Sequence, residues 1–409
     1  MRKFVACGLF VLIGIACLIP ARAVTTEQAD QAVQAFNKTY WNASGKYFYK
    51  KDDKTGVLDF WLTAHAWETI MDAYVRTGSA EYKQQIRDIY DGFIARQTTD
   101  WTRNDYNDDI MWWTIACARA YEITGEARYL SQSKAMFDWV YNTQRDSIKG
   151  GIWWKNNEHL VKNSCVVQPA IISAAFLARH LKDDSYRVKA ESLYAWDKRV
   201  LVDPSGGRVY DNINNAGKVS TFQTTYNQGT WIGSGVILGR IADAKKTADW
   251  TKANMCNAAG IFREAGQGDF GAFKLICARY VMSLSRQPGQ EAYAQWMETN
   301  AAKVWANRRA DGVMGYDWNN PAPSTGVECQ SAAGGVSLLN LLATPNSAIR
   351  PLDSQADHAR SGSGIRMVLS SHGDVTATGW LFDGSMGNDL RPETFRRLDG
   401  RASVGLSAR

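Results

Sequence analysis

The sequence predicts an all-α protein, an (α/α)6 toroid of six helical hairpins, and three observations carry that prediction. From about residue 28 to residue 343 apolar residues recur at helical spacing, with almost none of the alternation a strand would show. Short turns alternate along the chain with long loops rich in aromatic residues and glycine, which puts the long loops on one face. A turn sequence also repeats. Thr77-Gly78-Ser79-Ala80-Glu81-Tyr82 matches Thr124-Gly125-Glu126-Ala127-Arg128-Tyr129, a displacement of 47 residues from Tyr82 to Tyr129, and Lys182-Asp183-Asp184-Ser185-Tyr186 is a degenerate third copy.

Taken in order, residues 1–23 read as a signal peptide. Arg2 and Lys3 precede an apolar stretch over 4–19, and Ala21-Arg22-Ala23 has the small-x-small form of a cleavage site. The apolar stretch is short of the roughly 20 residues of a spanning helix, so the mature chain is expected to be soluble, free of the membrane, and secreted or periplasmic. Cys17 lacks the leucine three residues upstream that a lipidated cysteine would have.

Twelve helices are then expected over 28–40, 59–77, 80–96, 107–124, 127–142, 168–182, 185–200, 227–243, 246–262, 269–286, 290–306 and 329–343. Tight turns join them at 77–80, 124–127, 182–185, 244–247 and 287–290. Long loops fill 40–58, 97–107, 144–167, 201–226, 263–268 and 307–328. In a toroid the inner helices start beneath these loops, so residues 24–345 form one catalytic domain with its functional rim on the loop side. From 346 to 409 the apolar pattern lapses into Ser, Gly, Arg and Asp, and the tail is expected to be disordered, with Trp380-Leu381-Phe382 as a docking segment in the competing reading.

The formal charge of +6 includes Arg2, Lys3 and Arg22, and losing them with the leader leaves +3. That is too near neutrality to favour nucleic acid as a partner. Five cysteines remain after cleavage (117, 165, 256, 277 and 329), without any Cys-x-x-Cys pair, so a disulfide framework is not expected although one bridge stays open. Cys117, Cys256 and Cys277 fall in apolar runs and read as buried thiols. His65, His159, His180, His358 and His372 form no metal-ligand spacing, and no metal or cofactor is expected. Asn37 and Asn42 open acceptor sequons that matter only in a glycosylating host.

The chemistry gathers at Asp108 and Asp109, where an aromatic, polar loop meets an apolar helix. Asn107 is the expected N-cap, which would put both aspartates in the first turn. Aspartate is favoured there for purely structural reasons, since it faces free N–H groups and the positive end of the helix dipole. Two adjacent carboxylates, however, diverge by about 100° around the axis and can address different sides of one bound sugar. Repulsion and partial burial raise one carboxyl while hydrogen-bond donors keep the other ionised, so a single dipeptide can supply an acid and a nucleophile.

The run Asn107-Asp108-Asp109-Ile110-Met111-Trp112-Trp113, then Gly151-Ile152-Trp153-Trp154, Tyr226-Asn227-Gln228-Gly229 and Phe273-Lys274, resembles glycoside hydrolase family 76, the α-1,6-mannanases and related fungal cell-wall transglycosylases. The resemblance covers about 28–343 and implies an (α/α)6 barrel, endo-cleavage of α-1,6-mannan with retention, and no metal. By position it makes Asp108 the nucleophile and Asp109 the acid/base. Leu275 departs from the Phe-Lys-Gly-Ile frequent in the family.

Around the pair, Trp61, Trp112, Trp153 and Trp154 offer flat faces for sugar C–H groups, with core packing as the competing reading. Tyr226, Asn227 and Gln228 open a further inner helix, where amides can bind hydroxyls. Asp269 and Lys274 begin another, with a surface ion pair as the plainer role, and Tyr316 and Asp211 lie in long loops. His65 is more readily a satisfied core histidine. The expected partner is an α-mannan polysaccharide or oligosaccharide, bound by a monomer. Transfer to a sugar acceptor with the same aspartates, or non-catalytic glycan binding, stays open at this stage. A toroid epimerase is disfavoured because the domain has too few histidines for that proton chemistry.

Overall fold

The computed structural model describes residues 24–344 and, beyond them, one strand pair. The leader over 1–23 and the tail expected from 346 on fall otherwise outside the described residues. Among those residues there are twelve domain helices: α1 Thr26–Tyr40, α2 Phe60–Thr77, α3 Ala80–Gln97, α4 Asn107–Thr124, α5 Ala127–Gln144, α6 Ser164–Leu181, α7 Asp184–Val200, α8 Thr225–Ile237, α9 Ile241–Met255, α10 Phe270–Ser285, α11 Ala292–Ala306 and α12 Cys329–Ala343. The short strands are β1 Trp41–Asn42 and β2 Tyr47–Phe48, then β3 Val161–Asn163, β4 Asn212–Asn214 and β5 Val219–Ser220 in an antiparallel sheet of that order. The last pair is β6 Val368–Leu369 with β7 Val375–Thr376.

The even-numbered helices form a closed inner ring in which α2 packs on α4, α4 on α6, and so on until α12 returns to α2. Each odd helix from α3 to α11 lies outside its own hairpin partner, and α1 lies against α12, so both ends of the domain build the sixth hairpin. This is the (α/α)6 toroid. Burial explains who goes where. In α10 every residue from Gly271 to Ser285 is buried, whereas α9 buries only Ala244, Thr247, Ala248 and Thr251, a single stripe. Helices α8 and α10 approach closely because a Cβ at Gly229 or Gly233 would collide with Cys277 or the Tyr280 ring.

Local signals set most ends. Thr25 and Gln28 make a reciprocal cap on α1, and Ser79 and Asp183 cap α3 and α7. Gly78 and Gly125 end α2 and α4 in the left-handed conformation, and Lys182 takes that position in the third copy of the turn.

Three boundaries differ from expectation. Helix α6 starts at Ser164, four residues early, and carries Pro169 inside it. Proline is most at home in a first turn, and here it stands about one and a half turns inside the helix. The α8–α9 turn sits at residues 238–240, where Gly239 is left-handed, and residues 256–262 form a turn closed by a Cys256–Phe262 bridge. Asn107 is the first residue of α4, with Tyr106 at the N-cap. All five cysteines from Cys117 on are free, buried thiols.

A buried ionic cluster ties the ring together at mid-height. Arg279 of α10 donates to Glu68 of α2 at 2.9 Å and approaches Asp72 at 3.3 Å, while Arg119 of α4 reaches Glu68 at 3.4 Å and also bonds Asp72. Ser337 of α12 donates to Asp72 as well. Burial alone would raise Glu68, but Arg279, His65 and Arg119 overcome it and hold the carboxyl at about 2. Below the cluster, toward the C-terminal ends of the inner helices, a cavity of about 380 Å³ is lined by Arg119, Arg279 and Arg286 among others. It contains none of the rim aspartates.

Asp197 of α7 is a second buried carboxyl. One oxygen accepts from Gln168 at 3.0 Å, the other has no partner, and burial raises its pKa to about 7. The folded protein thus holds a proton that the unfolded chain releases near 4. Stability from this group is full below that range and is lost as pH rises toward 7. Asp197→Asn is expected to remove the dependence and to raise stability by about 2–4 kcal/mol at pH 7.5, with little change at pH 4. Thermal melts of both proteins across that range check it. Parallel curves would show that Asp197 is not the titrating group.

Candidate active site

The inner helices all begin at the same rim, and the second residue of each lies in the first turn there: Trp61, Asp108, Cys165, Tyr226, Gly271 and Gln330. Two long loops hold α4 in place. The Asn107 amide donates to the Trp153 carbonyl and its backbone N–H to that of Trp154, both at 2.9 Å. Tyr106 bridges to Lys155, and Asn156 donates to the Asn104 carbonyl at 2.9 Å. Asn107 is therefore a loop clamp, and its amide serves the neighbouring loop in place of its own helix end.

Asp108 and Asp109 are both half-buried at the rim yet differently surrounded. Burial raises Asp108 to about 6, against the pull of the Cys165 thiol, 3.3 Å from Oδ2, and of the Trp154 indole. Asp109 is raised well above the ordinary range, first by burial and then by the charge of Asp108. The Asn104 amide, 3.0 Å from Oδ2, opposes the shift, and Asp269 and Asp59 add to it. The result is one carboxyl with donors and one facing other carboxylates, which is the asymmetry a nucleophile and an acid require.

Aromatic rings from four inner helices make the floor beside the pair. Tyr226 stacks on Phe273 with centroids 4.0 Å apart, Trp112 lies 6.4 Å from both Trp61 and Tyr226, and Trp61 lies 6.3 Å from Phe273. The Trp61 indole donates to Asp269 at 3.2 Å. His65 lies underneath, 4.9 Å from Trp112 and 3.3 Å from Glu68, so the floor rests on the ionic cluster. Burial lowers the His65 pKa, which keeps the ring neutral at pH 7.

Several expected sugar contacts have other work. Gln228 is fully buried, with its amide oxygen accepting from the Val209 N–H at 2.8 Å and its amide nitrogen donating to the Val209 carbonyl at 2.9 Å. It pins the 201–224 loop. Asn227, also buried, donates to Asp211 at 3.1 Å. Lys274 makes no ion pair at the surface. It is buried and donates to the carbonyls of Glu264 and Tyr316, both at 2.6 Å, and burial lowers its pKa to about 8. Trp153 turns away from Asp108 to stack on His159 at 5.4 Å beneath Lys162, while Trp154 packs on Tyr106 at 5.2 Å. Tyr316 is partly open, its carbonyl held by Lys274. Sequence reasoning missed Asn104, Cys165 and Phe273 as site residues, although Phe273 stood inside a quoted motif.

The profile described as Glycosyl hydrolase family 76 matches residues 24–350. Mannan endo-1,6-alpha-mannosidase DCW1 of Saccharomyces cerevisiae is 26% identical over 333 residues, covering 72% of this chain and 70% of that protein. The protein of the same name in Candida glabrata is 26% identical over 63% of this chain and 66% of its own length. Among solved structures, the GH76A alpha-1,6-mannanase of Salegentibacter sp. HEL1_6 superposes with a TM-score of 0.73 at 28% identity, covering 78% of this chain and 98% of that one. An inactive variant of that enzyme, with two consecutive aspartates changed to asparagine, was solved in complex with alpha-1,6-mannotriose and superposes with a TM-score of 0.72.

Proposed function

The chain belongs to glycosyl hydrolase family 76 and is a glycoside hydrolase, and from that premise we propose that it is a retaining endo-α-1,6-mannanase acting outside the cytoplasm. The observation that carries the reading is the asymmetry of the adjacent carboxyls: Asp108 is held by a thiol and an indole, Asp109 is crowded by Asp108, Asp269 and Asp59. The mannotriose complex of the Salegentibacter enzyme supports the substrate class. The leader-like residues 1–23 support export.

In the first step an oxygen of Asp108 bonds to the anomeric carbon as the glycosidic C–O bond breaks, and Asp109 gives its proton to the leaving oxygen. Asp109 then takes a proton from the incoming water, which displaces Asp108 and restores both groups with the anomeric configuration retained. Trp61, Trp154 and Tyr226 offer the faces on which mannosyl rings lie, with the buried Trp112 and Phe273 packed against them, and Asp269 and Tyr316 border them. Asn227, Gln228, Lys274 and Trp153 act at one remove, by fixing the loops.

Purified protein is expected to release oligosaccharides of mixed length from linear α-1,6-mannan. A protein that leaves this polymer intact would end the proposal. The rate should rise with pH as Asp108 ionises near 6 and fall at higher pH as Asp109 loses its proton, the two limbs belonging to the pair as a unit. A kcat/KM profile checks it, and a flat profile from pH 5 to 9 would contradict it.

A further inference from the structure

Cys165 is the second residue of α6 beside the rim, is buried, and places Sγ 3.3 Å from Oδ2 of Asp108. Its other neighbour is the Tyr226 hydroxyl, which hydrogen-bonds the sulfur from α8. Burial first, then the charges of Asp108 and Asp211, raises the thiol well above its ordinary range. Sulfur therefore keeps its proton through the whole working range, and the bond to Asp108 runs from S–H to carboxylate. Oδ1 of Asp108 is enclosed and without a hydrogen-bond partner, so the thiol contact falls on Oδ2, the oxygen taken here as the attacking one.

Resting on the reading of Asp108 as nucleophile, we propose that Cys165 is a positioning residue for the reaction, a weak donor that aims Oδ2 of Asp108 while leaving it nucleophilic. A hydroxyl or ammonium at this place would be a stronger donor to the carboxylate and would draw more charge from the attacking oxygen. Sulfur is a poor donor, so it fixes direction with little loss of reactivity. When Oδ2 becomes an ester the thiol bond slackens, and when water displaces it the returning carboxylate recovers its donor. The thiol neither gains nor loses a proton in the cycle. Tyr226 secures the sulfur from behind, so a ring that also floors the sugar site couples α8 to the orientation of a side chain on α4.

The groups that face Asp108 are Asp109 on its own helix, Cys165 on α6, Tyr226 on α8 and the Trp154 indole, while Asp211, ahead of β4, acts on Cys165 and Tyr226. Removing the donor should destabilise the ionised form. In Cys165→Ala the acid limb of kcat/KM is expected to move up by about one pH unit, with kcat about tenfold lower and KM little changed. Cys165→Ser should move the limb below that of the parent and leave kcat below the parent's, because the stronger donor holds charge on Oδ2. Carboxyl 13C NMR of aspartate-labelled protein, with Asp108 assigned by its loss in Asp108→Asn, reads the same titration without any substrate. An Asp108 midpoint that is identical in parent, alanine and serine variants, all folded by thermal melt, overturns the positioning role whether or not mannan is cleaved. Failure of the parent on mannan, with the NMR midpoints still moving as expected, would instead count against the proposed reaction.

Discussion

Asp109→Ala is expected to slow cleavage of mannan by about 10²–10⁴-fold, the usual contribution of a general acid, while hydrolysing an aryl mannoside with a good leaving group far more readily than the polymer. Such a leaving group departs without a proton, so the first step is spared and the glycosyl-enzyme accumulates. Added azide should then attack in place of water and give the mannosyl azide with retained configuration. Asp108→Ala should abolish turnover of both substrates, and any azide product would have the inverted configuration because displacement occurs once. Rates on the two substrates and the configuration of the azide assign the roles. Swapped outcomes would exchange them, and retention of full activity by either variant would remove that residue from the chemistry. The expectation rests on the donors around Asp108 and the crowding of Asp109 by Asp108, Asp269 and Asp59.

Glu68→Ala is expected to destabilise the fold by about 3–5 kcal/mol, because it leaves Arg279 and Arg119 as buried guanidiniums sharing Asp72 alone. Glu68→Gln keeps an acceptor for Arg279 and should cost less. Replacing Glu68 and Arg279 together with apolar residues should cost less than the sum of the two single changes, since neither charge is then left stranded. Denaturant melts of the four proteins measure this, and additive losses would show that the pair does not act as a unit. The pH dependence has the opposite sign from Asp197. Glu68 is held near 2, so its stabilisation is present above the ordinary glutamate range and is lost as pH falls toward 2.

The architecture was legible because most hairpins announce themselves locally. The Thr-Gly turns at Gly78 and Gly125 recur where the chain must go left-handed, and the contrast between helices buried all round and helices buried along one stripe separates inner from outer positions. Pro169 and Gly239 misled because each obeys a usual rule at an unusual place: the proline sits inside α6, and the glycine cuts short a run whose apolar period continues past it. At the candidate site, the places of Asp108, Asp109, Trp61, Trp112, Trp154 and Tyr226 near the rim were legible as motif and aromatic content.

Gln228, Asn227 and Lys274 were not, and the reason is general. Long irregular loops carry backbone groups that must find partners, and a buried amide or ammonium that caps a carbonyl looks in sequence like one that holds a hydroxyl. Cys165 was hidden by the misplaced start of α6. With the helix begun at Ser164 it takes the same second position as Asp108 and Tyr226, and that register is the signal that would have found it.

The ionic plug at mid-height makes the ring a blind well. No polymer can be threaded through it, so a glycan has to lie across the mouth and leave by the way it came. On the endo reading proposed above, the enzyme would hold its chain from one side only and let go after each cut, so that early in digestion the viscosity of the substrate should fall well before the sugar count rises.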